Sequence, residues 1–297
     1  MFDWFDASVT PRERASLRAE VRVLVLSGLG LNCEVETETA FQLVGATTVR
    51  RHLLDLLEAP VGHRLDGVDV LAFVGGFSFG DHLGAGTVFA NKIRSHLRGE
   101  LVDFVARGGS ALGICNGFQT MARLGLVPGF DGVYDEPRVV LAENLRPGYR
   151  DAWVRLGFDP RSPCEWTRGL DAMELPSRHG EGRLLAAPEL APRIEAEHLA
   201  AAHYLGTDDQ PTEVWPHNPS GSPGGVAGLC DPSGRLFGLM PHPDAFLYGF
   251  HHPDWMRRRL AGVAIDGPGD GLAIFGNGVD AAAARKAGAR PIPAGAA

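Results

Sequence analysis

The chain has 297 residues, 44% of them apolar and 22% charged, with a mean hydropathy near zero, a composition that suits a globule with one sizeable core. A formal net charge of −8, with no basic run longer than Arg257-Arg258-Arg259, excludes a surface built to follow a phosphate backbone. No stretch approaches the roughly 20 apolar residues of a membrane helix, the N-terminus with Asp3, Asp6 and Glu13 lacks the basic-then-apolar order of a signal peptide, and four scattered cysteines suit a reducing cytoplasm.

In chain order, residues 1–20 read as an N-terminal extension with a peripheral helix. A buried strand is expected over 21–26, a helix over 34–44, and a second apolar strand over 69–74 that enters the Gly75-Gly76 turn. A long amphipathic helix follows over 87–106, then a strand over 110–114 and a helix over 118–126. This alternation predicts an α/β fold, a mostly parallel open sheet with helices on both faces. After Pro128 the texture changes to short strands, at 138–141, 153–156, 183–186 and 203–205, set between Gly, Pro and Asn turns. Residues 226–230 and 236–240 form a hairpin through Asp231-Pro232-Ser233-Gly234, so added antiparallel strands extend or flank the sheet in the second half. One domain is expected over 21–280, and the Ala/Gly/Pro-rich segment 281–297 reads as a flexible tail.

The run Gly113-Ile114-Cys115-Asn116-Gly117-Phe118-Gln119 places a cysteine between glycines where a strand turns into a helix. A nucleophile is presented on such a turn, which needs small neighbours because the backbone is strained, and the helix N-terminus favours a thiolate. Alone the motif is ambiguous, since most single cysteines are inert core residues. What separates the two readings is Met240-Pro241-His242-Pro243-Asp244, which closes a later apolar strand and adds a base and an orienting carboxylate to the cysteine.

With Gly75-Gly76-Phe77-Ser78-Phe79-Gly80-Asp81, His179-Gly180-Glu181-Gly182-Arg183, Asn32-Cys33 and Asn218-Pro219-Ser220-Gly221-Ser222, these pieces resemble the glutaminase component of phosphoribosylformylglycinamidine synthase. That component is a class I, triad-type glutamine amidotransferase of purine biosynthesis, and the likeness runs over nearly the whole chain. The resemblance implies Cys115 as nucleophile, His242 as base and Asp244 as orienter, acting on L-glutamine through a cysteine thioester. It places Gly75, Gly76, Phe77, Asn116 and Gln119 at the oxyanion and substrate side, with N–H groups near Gly76 or Phe77 and that of Asn116 forming the oxyanion hole. His179, Glu181 and Arg183 would then lie at the glutamine pocket or a partner interface, the alternative being a solvated polar turn. Cys33, Cys164 and Cys230 read as structural or incidental, and the His251-His252-Pro253-Asp254 stretch as a surface turn; no metal site is expected.

One position departs from the family, which usually carries Glu where this chain has Asp244. Losing a methylene withdraws the carboxylate by about 1.5 Å. No Gly-x-x-x-x-Gly-Lys-Ser/Thr loop occurs, so no cofactor is expected in this chain. ATP and magnesium would belong to a partner synthase subunit, joined in related systems by a small bridging subunit. Two other classes fit the same scaffold: a stand-alone cysteine amidohydrolase such as a γ-glutamyl hydrolase, and a non-catalytic regulatory module with an impaired triad.

Overall fold

The computed structural model describes residues 4–5 and 9–288. The chain opens on α1 (Pro11–Glu20), with Pro11 in its first turn and a reciprocal cap between Thr10 and Glu13, and then enters β1 (Arg22–Ser27), whose apolar centre is buried. There follow α2 (Glu34–Leu43), β2 (Thr47–His52), α3 (Leu53–Glu58) and β3 (Val70–Phe73). The amphipathic stretch forms α4 (Thr87–Ala106), which buries Phe89, Ile93, Leu97, Leu101 and Phe104 along one face at helical spacing. Next come β4 (Ser110–Ile114) and α5 (Asn116–Leu124).

The second half contains β5 (Val139–Glu143), β6 (Arg150–Phe158), β7 (Met173–His179), β8 (Glu181–Ala186), α6 (Ala191–Ala196), β9 (Ala202–Tyr204), β10 (Val226–Cys230) and β11 (Leu236–Leu239). It closes with α7 (Trp255–Leu260) and α8 (Leu272–Lys286). The main sheet has the order β2-β1-β3-β4-β11-β10-β9-β6-β7, and β5 pairs with β8 in a separate two-stranded ribbon. From β2 to β11 the neighbours run parallel; from β11 to β7 they run antiparallel. The expected short strands therefore do both things at once, prolonging the parallel sheet and forming the ribbon beside it.

Two strands carry no clear signal in the sequence. β2 reads Thr-Thr-Val-Arg-Arg-His and is largely exposed, as suits a sheet edge blunted by charge, while β7 contains Pro176 and sits on the opposite edge. The expected tail from 281 is corrected at its start. Residues 281–286 complete α8, and Ala281, Ala282, Ala283 and Ala284 are buried, because an alanine run with strong helix propensity carries the helix on and its small side chains pack closely. The remainder of that segment, from 289, lies outside the described residues, as do 1–3 and 6–8 of the extension.

Candidate active site

Three adjacent parallel strands end at one place. In register, Phe73 pairs with Gly113 and Ile114 with Leu239, so the residues just beyond β3, β4 and β11 converge: Gly75-Gly76, Cys115 and His242. Crevices outside the carboxyl ends of parallel strands are where α/β folds place ligands.

Cys115 has φ 51° and ψ −107°, a conformation that L-residues rarely adopt, at a cost of about 1–3 kcal/mol. Its N–H donates to Leu239 O at 2.8 Å, and its thiol donates to Arg178 O at 3.4 Å. The flanking glycines are a steric requirement of the turn. A Cβ at Gly117 would stand 1.9 Å from the Phe73 carbonyl oxygen, and one at Gly113 would stand 2.5 Å from Met121 Sδ.

His242 is held by its backbone as well as its ring. Its N–H donates to Pro176 O at 2.7 Å, so the unforeseen strand β7 anchors the turn that carries it. Nδ1 lies 3.2 Å from Asp244 Oδ1, and Asp244 Oδ2 accepts from Thr37 Oγ1 at 3.1 Å. Despite its shorter side chain, Asp244 reaches the imidazole directly. Burial by itself would push the imidazole pKa down, but the charges of Asp244 and Cys115 beside it win, and they hold it well above the usual range. Nε2 is buried and makes no hydrogen bond of good geometry, although the Cys115 and Cys33 thiols both face the ring.

The turn after β3 refines the expected oxyanion hole. Phe77 N–H, one of the expected oxyanion donors, donates to Gly30 O at 2.8 Å and is engaged within the turn. Gly76 has φ 140°, and a Cβ there would meet Leu31 Cα at 2.7 Å. The Phe77 side chain, 46% exposed, lies instead against Tyr149 with ring centroids 6.0 Å apart. Tyr149, which the sequence did not single out, is within electrostatic reach of both Cys115 and His242.

Asn116 and Gln119 turn inward. Asn116 Nδ2 donates to Asp81 Oδ1 at 3.0 Å and to Gln119 Oε1 at 3.0 Å, while Gln119 Nε2 donates to the Glu181 carbonyl. The Gln119 side chain is therefore a brace between α5 and β8. Glu181 Oε2 accepts from Ala85 N–H at 3.0 Å, which pins the loop before α4. His179, buried, faces Asn144 Oδ1 with Nδ1 at 2.9 Å, and burial followed by the repulsion of His242 brings its pKa down to about 3. It is a neutral neighbour of the site. Arg183 Nε donates to Gly221 O at 3.2 Å, tying β8 to the Asn218–Ser222 loop. Of the three residues, His179 and Glu181 adjoin the surroundings of Cys115 and His242, and Arg183 fixes a loop behind them.

Two further expectations change. Cys33 is no bystander: a Cβ on Gly75 would be 2.9 Å from His242 Cε1 and 3.1 Å from Cys33 Sγ, so the glycine lets the second thiol and the imidazole edge share one small space. His252 is not on a surface turn. It is buried, with Nε2 3.0 Å from Glu174 Oε2 and its ring 4.7 Å from that of Trp153, and it steadies the segment after the triad turn.

Comparison with known proteins places the fold in a family. The model of the CobB/CobQ-like glutamine amidotransferase domain matches residues 20–280. The phosphoribosylformylglycinamidine synthase subunit PurQ of Dehalococcoides mccartyi is 39% identical over 88% of this chain and 97% of its own. The chain belongs to the PurQ family. The PurQ of Archaeoglobus fulgidus is 32% identical over 89% of this chain and 97% of its own. Human phosphoribosylformylglycinamidine synthase is 38% identical over 81% of this chain, a match that takes in only 19% of that longer protein. The fold likeness extends to the PurLQS structure from Thermotoga maritima, with a TM-score of 0.64 at 23% identity over 88% of this chain and 98% of that one. The domain match starts close to where β1 begins, and all of α1 but its last residue lies before it.

Proposed function

We infer that this chain is the glutaminase subunit of phosphoribosylformylglycinamidine synthase, hydrolysing L-glutamine and supplying ammonia to a synthase partner in purine biosynthesis. One observation carries the chemistry: a cysteine on a strained elbow faces an imidazole that is held, 3.2 Å away on its other nitrogen, by a buried carboxylate. Cys115 attacks the glutamine δ-carbonyl, and the tetrahedral oxyanion falls to Gly76 N–H and Asn116 N–H. His242, as imidazolium, gives its proton to the departing nitrogen, so ammonia leaves and a γ-glutamyl thioester remains. The neutral ring then takes a proton from water, whose oxygen attacks the thioester; glutamate departs and the proton returns to the Cys115–His242 pair. Asp244 selects the tautomer and stabilises the charged ring, with Thr37 fixing the carboxylate.

The same reading assigns ATP and magnesium to the synthase subunit, where the acceptor is activated, and allows for a small bridging subunit. Free ammonia is protonated in water at neutral pH, which gives direct transfer between subunits a chemical motive. Among the described residues no helix is long and apolar enough to cross a membrane, and the cytoplasm, where thiols stay reduced, is the compartment this chemistry needs.

Cys115→Ala tests the assignment in the assembled complex. Glutamine-dependent synthesis should disappear and ammonia-dependent synthesis should stay at the wild-type rate, because only the thioester step is removed. Equal loss of both activities would make Cys115 a folding or docking residue, and glutamine hydrolysis surviving in the variant would remove it as the nucleophile.

A further inference from the structure

We propose that the cavity between α4, the end of α5 and the β5–β8 ribbon binds a phosphate monoester of nucleotide size, with Arg94, Arg123 and Thr87 taking the phosphate and the ribbon carrying the organic part. The cavity is separate from the elbow and its imidazole: neither Cys115 nor His242 lines it.

Arg94 and Arg123, both partly buried, line this cavity of about 550 Å³, a volume typical of small-molecule sites. Neither makes an ion pair among the described residues. Arg94 Nη1 donates to Asn91 Oδ1 at 3.1 Å and its Nη2 to the Arg123 carbonyl, while Arg123 Nε donates to Ala85 O at 2.7 Å. Neutral acceptors thus fix both guanidinium groups and leave their charge unbalanced, and the Nη groups of Arg123 have no protein partner among the described residues. Asp81, within electrostatic reach of Arg123, is engaged by Asn116 Nδ2 and Gly86 N–H. A third arginine on the cavity, Arg138, is offset by Glu136 at 2.5 Å. The two uncompensated charges match the roughly −1.5 to −2 that a phosphate monoester carries at pH 7. Thr87 Oγ1 adds a neutral donor, since it is buried without a hydrogen-bond partner. It stands beside Arg123 Nη2 because Gly84 has no side chain: a Cβ there would lie 3.2 Å from the hydroxyl and 2.8 Å from Nη2.

Inorganic phosphate would fill only a fraction of this volume. Val140 of β5 and Leu185 of β8 sit opposite each other across the ribbon and both line the cavity, which gives it an apolar platform next to its cations. A phosphate joined to a sugar and a flat base uses both parts, whereas a purely apolar ligand would leave the guanidinium groups without an anion. The ligand would also brace the loop before α4. Ala85, whose carbonyl holds Arg123, has its N–H on Glu181 Oε2 of β8, so an anion gripping Arg123 ties α5, that loop and the ribbon together.

Calorimetric titration of the full-length chain tests the site, with adenosine 5′-monophosphate as the probe and adenosine and inorganic phosphate as comparisons. The probe should bind with a stoichiometry of one, and each comparison should bind at least about tenfold more weakly, since each keeps only one half of the contacts. Arg94→Gln and Arg123→Gln should each weaken the probe by about tenfold or more through loss of a charge-assisted bond, and Thr87→Val by about threefold. Arg98→Gln, on the same helix but paired with Asp135 outside the cavity, should leave it unchanged. A measurement on the wild-type chain avoids any failure of a variant to fold: the probe should slow amide hydrogen exchange in 84–94 and 137–140. No binding of the probe at millimolar concentration overturns the proposal, as does an affinity unaltered in both arginine variants or exchange slowed only elsewhere. Adenosine binding as tightly as its monophosphate would remove the phosphate contact, and inorganic phosphate binding as tightly would remove the organic ligand; either result overturns the assignment.

Discussion

At Cys115 the backbone stores strain that the fold has to support, and at Asp244 it resolves a question of reach. An aspartate in place of the family's glutamate would leave a gap of about a bond length if the backbone had not moved. The 3.2 Å contact with His242 Nδ1 and the 3.1 Å contact with Thr37 Oγ1 show that the shorter acid nevertheless reaches the ring. Asp244→Asn therefore keeps the shape but loses the charge that stabilises the imidazolium. Single-turnover acylation of Cys115 by glutamine should fall by roughly two to four orders of magnitude, with glutamine affinity nearly unchanged. Asp244→Glu should also slow acylation, by about tenfold, since the added methylene has no space in a buried site already in contact on both oxygens. Acylation of the Asn variant at the wild-type rate would take Asp244 out of the triad.

Helix α1 has little apolar support, with no buried residue of its own and Leu17 packed partly buried against the core. Two ion pairs add to its attachment. Arg14 Nη2 and Arg18 Nε each lie 2.5 Å from an oxygen of Asp280, a fully buried carboxylate on α8, and α8 in turn packs on α2 through Phe275 and Phe41, whose ring centroids are 4.9 Å apart. Since α2 also carries Thr37, this chain of contacts links the extension to the back of the triad. Neutralising Asp280 removes the buried carboxylate that the two guanidinium groups, each about one-fifth exposed, share. Asp280→Asn should lower the stability to urea by about 3 kcal/mol and expose α1 to protease. A wild-type denaturation midpoint would mean that α1 is attached by something other than this carboxylate.

For the whole molecule, the site lies at the carboxyl end of the parallel half of the sheet and is bordered by Phe77 and Tyr149, 46% and 51% exposed. A subunit that releases ammonia only on demand needs a mouth that its partner can complete. The isolated chain should hydrolyse glutamine slowly, and the purified synthase subunit with its nucleotide ligands should raise the rate by about tenfold or more, through ordering of the loops around Gly76 and His179. An isolated chain already at full rate and indifferent to the partner would favour the stand-alone hydrolase.

Much of this was legible in the linear order of residues. Helix α4 falls on the expected boundaries because its apolar spacing is strong and local, and strands β1, β3, β4 and β11 are continuous apolar runs. The glycines around Cys115 announce the elbow, since only a tight turn requires them. Other features depend on distances through space that no spacing encodes. Phe77 N–H is consumed by Gly30, Gln119 by Glu181, and Thr37 meets Asp244 across 207 residues of sequence. β2 and β7 escape notice because an exposed, arginine-bearing edge and a proline-containing edge lack the alternation that marks a strand. The sequence by itself determined the family and singled out Cys115 and His242 as its candidate site residues, because a strained turn and its neighbours form a local pattern. Only the tertiary structure decided that the short acid reaches the ring and that Cys33 stands beside it, because both depend on how separate strands and turns are brought together.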